Sequence, residues 1–122
     1  KETPRIMIFG LAFKNNTGDC RNTPIKKITN FCQRKKIFFD AYDPLVSDED
    51  FNKITFNKNR KKLSQIKMDY YDIFIFGCAH KEFKRIKFKN FKNTKILFDG
   101  RRLFTKTQIR KLEKKNIIYS TI

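Results

Sequence analysis

Two short stretches of the chain concentrate side chains suited to holding an anion. GLAFKNNTGDCR at 10–21 carries two glycines, Phe13, Lys14 and Arg21 just ahead of Thr23 and Pro24, and DGRR at 99–102 carries Arg101 and Arg102 beside Gly100. A guanidinium fork pairs with two oxygens of a phosphate, a lysine ammonium adds a point charge, and a helix N-terminus adds amides without internal partners. If both stretches lie on one edge of a sheet, Lys14, Arg21, Arg101 and Arg102 flank one anion site. The spacing is not that of a P-loop, since no Gly-Lys-Ser/Thr follows the glycines, and no G-x-G-x-x-G occurs anywhere.

The remaining reactive types read as structure. His80 is the only histidine, opens a short helical stretch beside Lys81 and Glu82, and is assigned a surface or capping role. Cys32 falls on a helix stripe and Cys78 closes a strand, so both read as small core hydrophobes. Asp19 either orients Arg21 or Lys14 or serves turn chemistry, Asp43-Pro44 reads as a turn, and Asp99 reads as the residue that fixes the loop presenting Arg101.

The elements that must position these residues alternate. Apolar runs at 5–9, 37–42, 71–77, 95–98 and 117–119 read as strands buried in a parallel sheet. Between them, Thr23-Pro24 opens a helix whose buried stripe is Ile25, Ile28, Phe31 and Cys32; Ser47-x-x-Asp50 caps a second; 79–86 is helical; and Thr105-x-x-Gln108 is a capping box before Ile109 and Leu112. Such alternation predicts a Rossmann-like three-layer α/β/α fold with a mainly parallel sheet of about five strands. Residues 1–122 read as one domain, without repeat or linker.

At 122 residues with 39% hydrophobic and 15% aromatic content, the chain has enough apolar surface for a core. Its longest apolar runs fall far short of the roughly 18 residues a membrane span needs, and its three widely spaced cysteines fit neither a disulfide framework nor a C-x-x-C zinc site. Reduced thiols point to the cytoplasm. The formal net charge of +17 suggests a polyanionic partner, but Lys, Asn, Ile and Phe, all with AT-rich codons, supply 60 of 122 residues. The densest basic stretch, 81–95, places Phe83 and Ile86 at buried-helix spacing, so its lysines read as a solvated face more than as a nucleic-acid surface with stacking aromatics. The opening Lys-Glu-Thr-Pro, without Met or a leader pattern, suggests a piece of something longer.

Five segments, in order, resemble the C-terminal domain of the UDP-glucose/GDP-mannose dehydrogenase family: IFGLAFK at 8–14, TGDCRNTP at 17–24, AYDP at 41–44, AHKEF at 79–83 and FDGRR at 98–102. The resemblance implies a domain that holds the UDP part of a nucleotide sugar, with an NAD-binding domain and a central helical region, bearing the catalytic cysteine and the dimer interface, lying outside this chain. Carried over, Phe13 and Lys14 resemble contacts to the UDP-sugar, with Lys14 reaching across the domain cleft. Arg101, and beside it Arg102, resembles the UDP-binding arginine, and Arg21 resembles the arginine that approaches NAD. Cys20 stands where the family varies and is not the catalytic residue; none is expected in 1–122. The Gly-Asp-Cys-Arg turn looks closest to UDP-glucose 6-dehydrogenases, with UDP-N-acetylhexosamine and GDP-mannose dehydrogenases as alternatives. A basic α/β nucleic-acid-binding module is the reading from a different class. Cut from its partners, such a domain is expected to expose apolar surface where they pack.

Overall fold

The computed structural model describes residues 3–86, 91 and 93–121. Five strands, β1 (Ile6–Phe9), β2 (Phe39–Tyr42), β3 (Ile73–Phe76), β4 (Ile96–Asp99) and β5 (Ile118–Thr121), form one sheet in the order β2-β1-β3-β4-β5 with every pair parallel. The helices are α1 (Ile25–Lys35), α2 (Asp48–Thr55) and α3 (Lys106–Lys114). The fold is the expected Rossmann-like α/β arrangement.

One face of the sheet is aromatic. Phe9 stacks on both Phe74 and Phe76, at centroid distances of 5.9 and 5.0 Å, and Phe83, Phe91 and Phe104 close over them. On the other face α1 lies close to the end of β3, where a side chain on Gly77 would strike Ile25. Further along that face Ile96 and Ile118 are register neighbours and both exposed, at 37% and 64%, so the strands beyond β3 do present apolar surface. No helix of the described residues is long and apolar enough to cross a membrane, and all three cysteines are free.

The helix starts follow the expected cap chemistry. Ser47 Oγ accepts from the Asp50 amide, and Thr105 and Gln108 form a reciprocal capping box. At α1 the Thr23 hydroxyl accepts from the Ile25 amide at 3.3 Å, with Pro24 already at helical dihedrals. The buried line of α1 differs from expectation: Ile25, Thr29 and Cys32 are buried, Ile28 only partly, and Phe31 is 46% exposed with the Arg34 guanidinium 5.9 Å from its ring. Thr29 can take an inward position because its hydroxyl is satisfied by the Lys26 carbonyl. The 79–86 stretch is a 3₁₀ helix over Lys81–Arg85, and two more 3₁₀ turns, Leu63–Gln65 and Met68–Tyr70, precede β3.

Of the basic stretch at 81–95, residues 87–90 and 92 lie outside the described residues. Phe83 and Ile86 are buried as expected, and Phe91 packs 4.6 Å from Phe74. Two of its three interleaved aromatics are therefore core, and the third, Phe88, lies outside the described residues.

Candidate functional site

In this strand order the chain leaves β1 toward β2, then crosses back over β1 to β3, so the loops after β1 and β3 diverge at the carboxyl edge. That divergence opens the crevice where open α/β sheets take their ligands. Gly10 sits at its floor with φ +96°, and a side chain there would come within 2.5 Å of Cys78 Sγ. Only glycine tolerates both the left-handed backbone and the close approach.

The loop from Gly10 to Pro24 is tied at several points. The Phe13 amide donates to the Asp19 carbonyl at 2.7 Å, and Thr17 Oγ1 donates to the Lys14 carbonyl and accepts from the Asp19 amide. Phe13 is 37% exposed, its carbonyl accepts from Arg101 Nη2 at 2.9 Å, and its ring stands 5.7 Å from the Arg101 guanidinium. The loops after β1 and β4, remote in sequence, thus meet through Phe13 and Arg101, with Lys14 exposed next to the junction. Arg102 is exposed and holds φ +56°.

Asp99 builds the β4 side. It is fully buried, and its carboxylate accepts from the Leu103 and Phe104 amides at 2.8 and 3.0 Å and from the Tyr119 hydroxyl at 2.8 Å. The loop that presents Arg101 is therefore fixed from below, as its sequence position suggested.

Arg21 is placed differently from the other cations. Its guanidinium is bidentate on Asp19, with Nε to Oδ1 at 3.0 Å and Nη2 to Oδ2 at 2.9 Å, while staying 87% exposed. The hydrogen bonds from Arg21 hold the Asp19 carboxyl well below the usual carboxylate range. Asp19 orients Arg21 rather than Lys14. Arg21 lines an open cleft of about 840 Å³ with Asp19, Lys26, Lys27 and Lys53, and Lys14, Arg101 and Arg102 are not among its lining residues. The four cations expected around one anion site thus divide between the Phe13–Arg101 junction and this second cleft.

The largest departure from the sequence reading is His80. It does stand at the N-cap of Lys81–Arg85, as its place at the head of that stretch suggested, but its side chain makes no cap hydrogen bond. Instead of lying at the surface it is fully buried, and with Asp43 and Cys78 it forms a polar cluster beneath the loop. Its Nδ1 accepts from the Asn16 amide at 2.8 Å, and its Nε2 lies 3.0 and 3.1 Å from the two Asp43 oxygens and 3.3 Å from Cys78 Sγ. Asp43, read as a mere turn residue, is 1% exposed and also accepts from the Leu11, Ala12 and Leu45 amides. Burial pushes its carboxyl up, but His80 and these amides outweigh that and hold it below the usual range. The one signal available in the sequence was polarity at strand ends, Asp43 after β2 and His80 after β3, in a parallel fold whose strand ends converge.

Cys78 and Cys20 are poor nucleophiles. Burial, with nearby carboxylates, pushes each thiol up to about 12, so both stay protonated at neutral pH.

Residues 7–106 match the model of the UDP-glucose/GDP-mannose dehydrogenase family, UDP binding domain. The chain belongs to this family. Among curated proteins it is 33% identical over 86 residues to a UDP-N-acetyl-D-glucosamine 6-dehydrogenase of Pseudomonas aeruginosa, covering 70% of this chain and 20% of that protein. It is 27% identical over 89 residues to a UDP-N-acetyl-D-mannosamine dehydrogenase of Methanococcus aeolicus, covering 73% and 18%. The chain thus spans about a fifth of the length of these dehydrogenases. Among solved structures, a UDP-D-ManNAc dehydrogenase from Pyrococcus horikoshii superposes with a TM-score of 0.70 at 24% identity, over 98% of this chain and 25% of that one. A UDP-glucose dehydrogenase from Pyrobaculum islandicum gives 0.69 at 18%, over 97% and 25%. At these identities the structural likeness is one of fold.

Proposed function

We propose that this chain holds the UDP part of a nucleotide sugar within a longer NAD-dependent nucleotide-sugar dehydrogenase. The observation that carries the reading is the family match over residues 7–106, which spans both cationic loops and the Phe13–Arg101 contact that joins them. Phe13, Lys14, Arg101 and Arg102 take the UDP-sugar: the guanidinium groups pair with phosphate oxygens, Lys14 adds charge toward the sugar side, and the exposed Phe13 ring offers an apolar wall. Arg21, exposed and paired with Asp19, is the residue that approaches NAD. NAD supplies the hydride acceptor when bound, but these residues fit only its margin. There is no G-x-G-x-x-G, and residues 10–24 separate β1 from α1 where a dinucleotide fold turns directly into its helix. The catalytic cysteine lies outside 1–122, so this chain binds and orients and does not turn over alone.

The Gly18-Asp19-Cys20-Arg21 turn supports UDP-glucose, oxidised to UDP-glucuronate. The curated relatives, dehydrogenases of UDP-N-acetylglucosamine and UDP-N-acetylmannosamine, favour an N-acetylated hexosamine instead, and that second reading stands beside the first. GDP-mannose has no support among the relatives named above. On the same reading the longer enzyme works in the cytoplasm as a homodimer serving polysaccharide synthesis, and the exposed Ile96 and Ile118 are a surface for its other domains to cover.

The test is an NMR titration of the chain with UDP, with AMP and a single-stranded oligonucleotide as controls, followed by UDP-glucose against UDP-N-acetylglucosamine. Selective shifts from UDP in 10–21 and 99–102, lost in Arg101→Ala, are expected. Binding of the oligonucleotide alone, with shifts along 81–95, overturns the reading in favour of a basic module.

A further inference from the structure

The geometry points to His80 as the positioning residue of the anion-binding loop: relayed through Asp43 and the Asn16 amide, its imidazole holds the segment carrying Phe13 and Lys14 in one conformation before any ligand arrives. The inference rests on the assignment of that loop to UDP-sugar binding.

The hydrogen-bond network assigns the tautomer. An amide N–H can only donate, so the Asn16 amide requires a lone pair on Nδ1, and the ring proton sits on Nε2, where it is donated to Asp43. Asp43 in turn accepts from Leu11 and Ala12 at the start of the loop. One imidazole therefore grips the loop twice, directly at Asn16 and through the carboxylate at 11–12. Phe13 and Lys14 lie between these two anchors.

The surrounding residues reinforce the same junction. Asn15 Oδ1 accepts from the Ala79 amide at 2.7 Å and Asn16 Oδ1 from the Lys81 amide at 2.8 Å, so the two asparagines straddle His80. Asn16 adopts φ +60°, a left-handed conformation that asparagine tolerates better than most residues and that turns its amide inward. Nothing in this network depends on the charge of the ligand, and the two side chains at its centre, His80 and Asp43, are buried. It is an arrangement for preorganisation, which lowers the ordering cost that binding would otherwise meet.

A metal site is the competing use of the same side chains, because Asp43, Cys78 and His80 each bring one ligand atom within 4.8 Å of the others. The donors are already committed. Asp43 accepts from three backbone amides and the imidazole, and coordination through Nε2 would require it to lose the proton it gives to Asp43. The cluster serves the loops.

Two substitutions separate positioning from bulk stability. His80→Asn keeps an acceptor near Nδ1 but does not reach Asp43, whereas His80→Gln reaches Asp43 but offers no acceptor to Asn16. UDP affinity, global unfolding and amide exchange at Leu11, Ala12 and Asn16 are measured for both variants and for the unsubstituted chain, with the imidazole ¹⁵N shifts of the latter. The expected result is an Nε2–H signature, together with a loss of UDP affinity of about tenfold or more in His80→Gln that His80→Asn partly restores although it is the less stable protein. Affinities that follow stability instead, with His80→Gln binding as the unsubstituted chain does, overturn the inference, as does an Nδ1–H signature. If the unsubstituted chain does not bind UDP, the functional assignment fails. The ¹⁵N shifts and the exchange rates still decide whether His80 orders the loop, because neither needs a ligand. A change in the ¹⁵N shifts on adding zinc alone at neutral pH would overturn the assignment in favour of a metal site.

Discussion

Asp43 and Asp99 occupy equivalent places, one just past the end of β2 and the other the last residue of β4, and both are buried acceptors for amides of the carboxyl-edge loops. They differ in reach. Asp99 serves its own loop, accepting from residues four and five positions ahead, plus the Tyr119 hydroxyl. Asp43 accepts locally from Leu45 but reaches back 31 and 32 residues to the β1 loop, and it faces His80 from the β3 loop. Asp99 shapes one loop, while Asp43 joins three strand ends.

Removal of Asp43 is the sharpest way to break this comparison. Asp43→Ala strands two buried amides, the half-buried Leu45 amide and the imidazole N–H, and the expected loss is about 3–5 kcal/mol of unfolding free energy, read from urea denaturation. A loss under about 1 kcal/mol would mean that the loops hold together without it. The same carboxyl shapes the acid limb of stability. Because its folded pKa lies below the unfolded value of about 3.9, its contribution is present above that value and is lost as pH falls through the folded pKa. The stability difference between the unsubstituted chain and Asp43→Asn is therefore expected to shrink on acidification, and a difference constant with pH contradicts the assignment.

Asp99→Ala is expected to cost less, about 2–3 kcal/mol, since it strands two amides and a phenol that can turn to water. The location of the damage is as informative as its size. Exchange should quicken at Leu103 and Phe104 and leave Leu11, Ala12 and Asn16 as they were, whereas Asp43→Ala should do the reverse. If both substitutions loosen both loops equally, the two aspartates belong to one cooperative unit and the distinction drawn here collapses.

The same difference in reach explains what could be read from sequence. Strand order and pairing aside, the strands are marked by local apolar runs, and the Ser47 and Thr105 caps and the bonds of Asp99 to its own loop span only a few residues, so local spacing reveals them. The Phe13 and Arg101 loops were recognisable as cationic, although their contact across 88 residues was not. Asp43 was read incompletely and His80 was misread for one reason: Asp-Pro is ordinary turn chemistry, which the bond from the Leu45 amide bears out, and a lone histidine before Lys and Glu looks solvated. Beyond Leu45 and Cys78, their partners lie 31–64 residues away and are mostly backbone amides, which carry no residue type and leave no pattern. Phe31 failed the other way, since an aromatic at helical spacing reads as core even where it stands half exposed beside Arg34.

The smallest expected effect tests the far side of Asp99. Tyr119→Phe removes one hydroxyl from a carboxylate that keeps its two amides, so at neutral pH it should cost about 1 kcal/mol. Its sharper signature is alkaline. Burial first, and then the bond to Asp99, pushes the Tyr119 phenol up to about 12, above the roughly 10 expected in the unfolded chain. A group that binds its proton more tightly when folded adds stability that is complete below the unfolded pKa and fades as pH rises toward the folded one. The gap between the unsubstituted chain and Tyr119→Phe should therefore narrow between about pH 10 and 12, with the many lysines cancelling because both proteins carry them. A gap that holds constant through that window would mean that Asp99 is satisfied by its own loop alone, and the contrast with Asp43 would be sharper still.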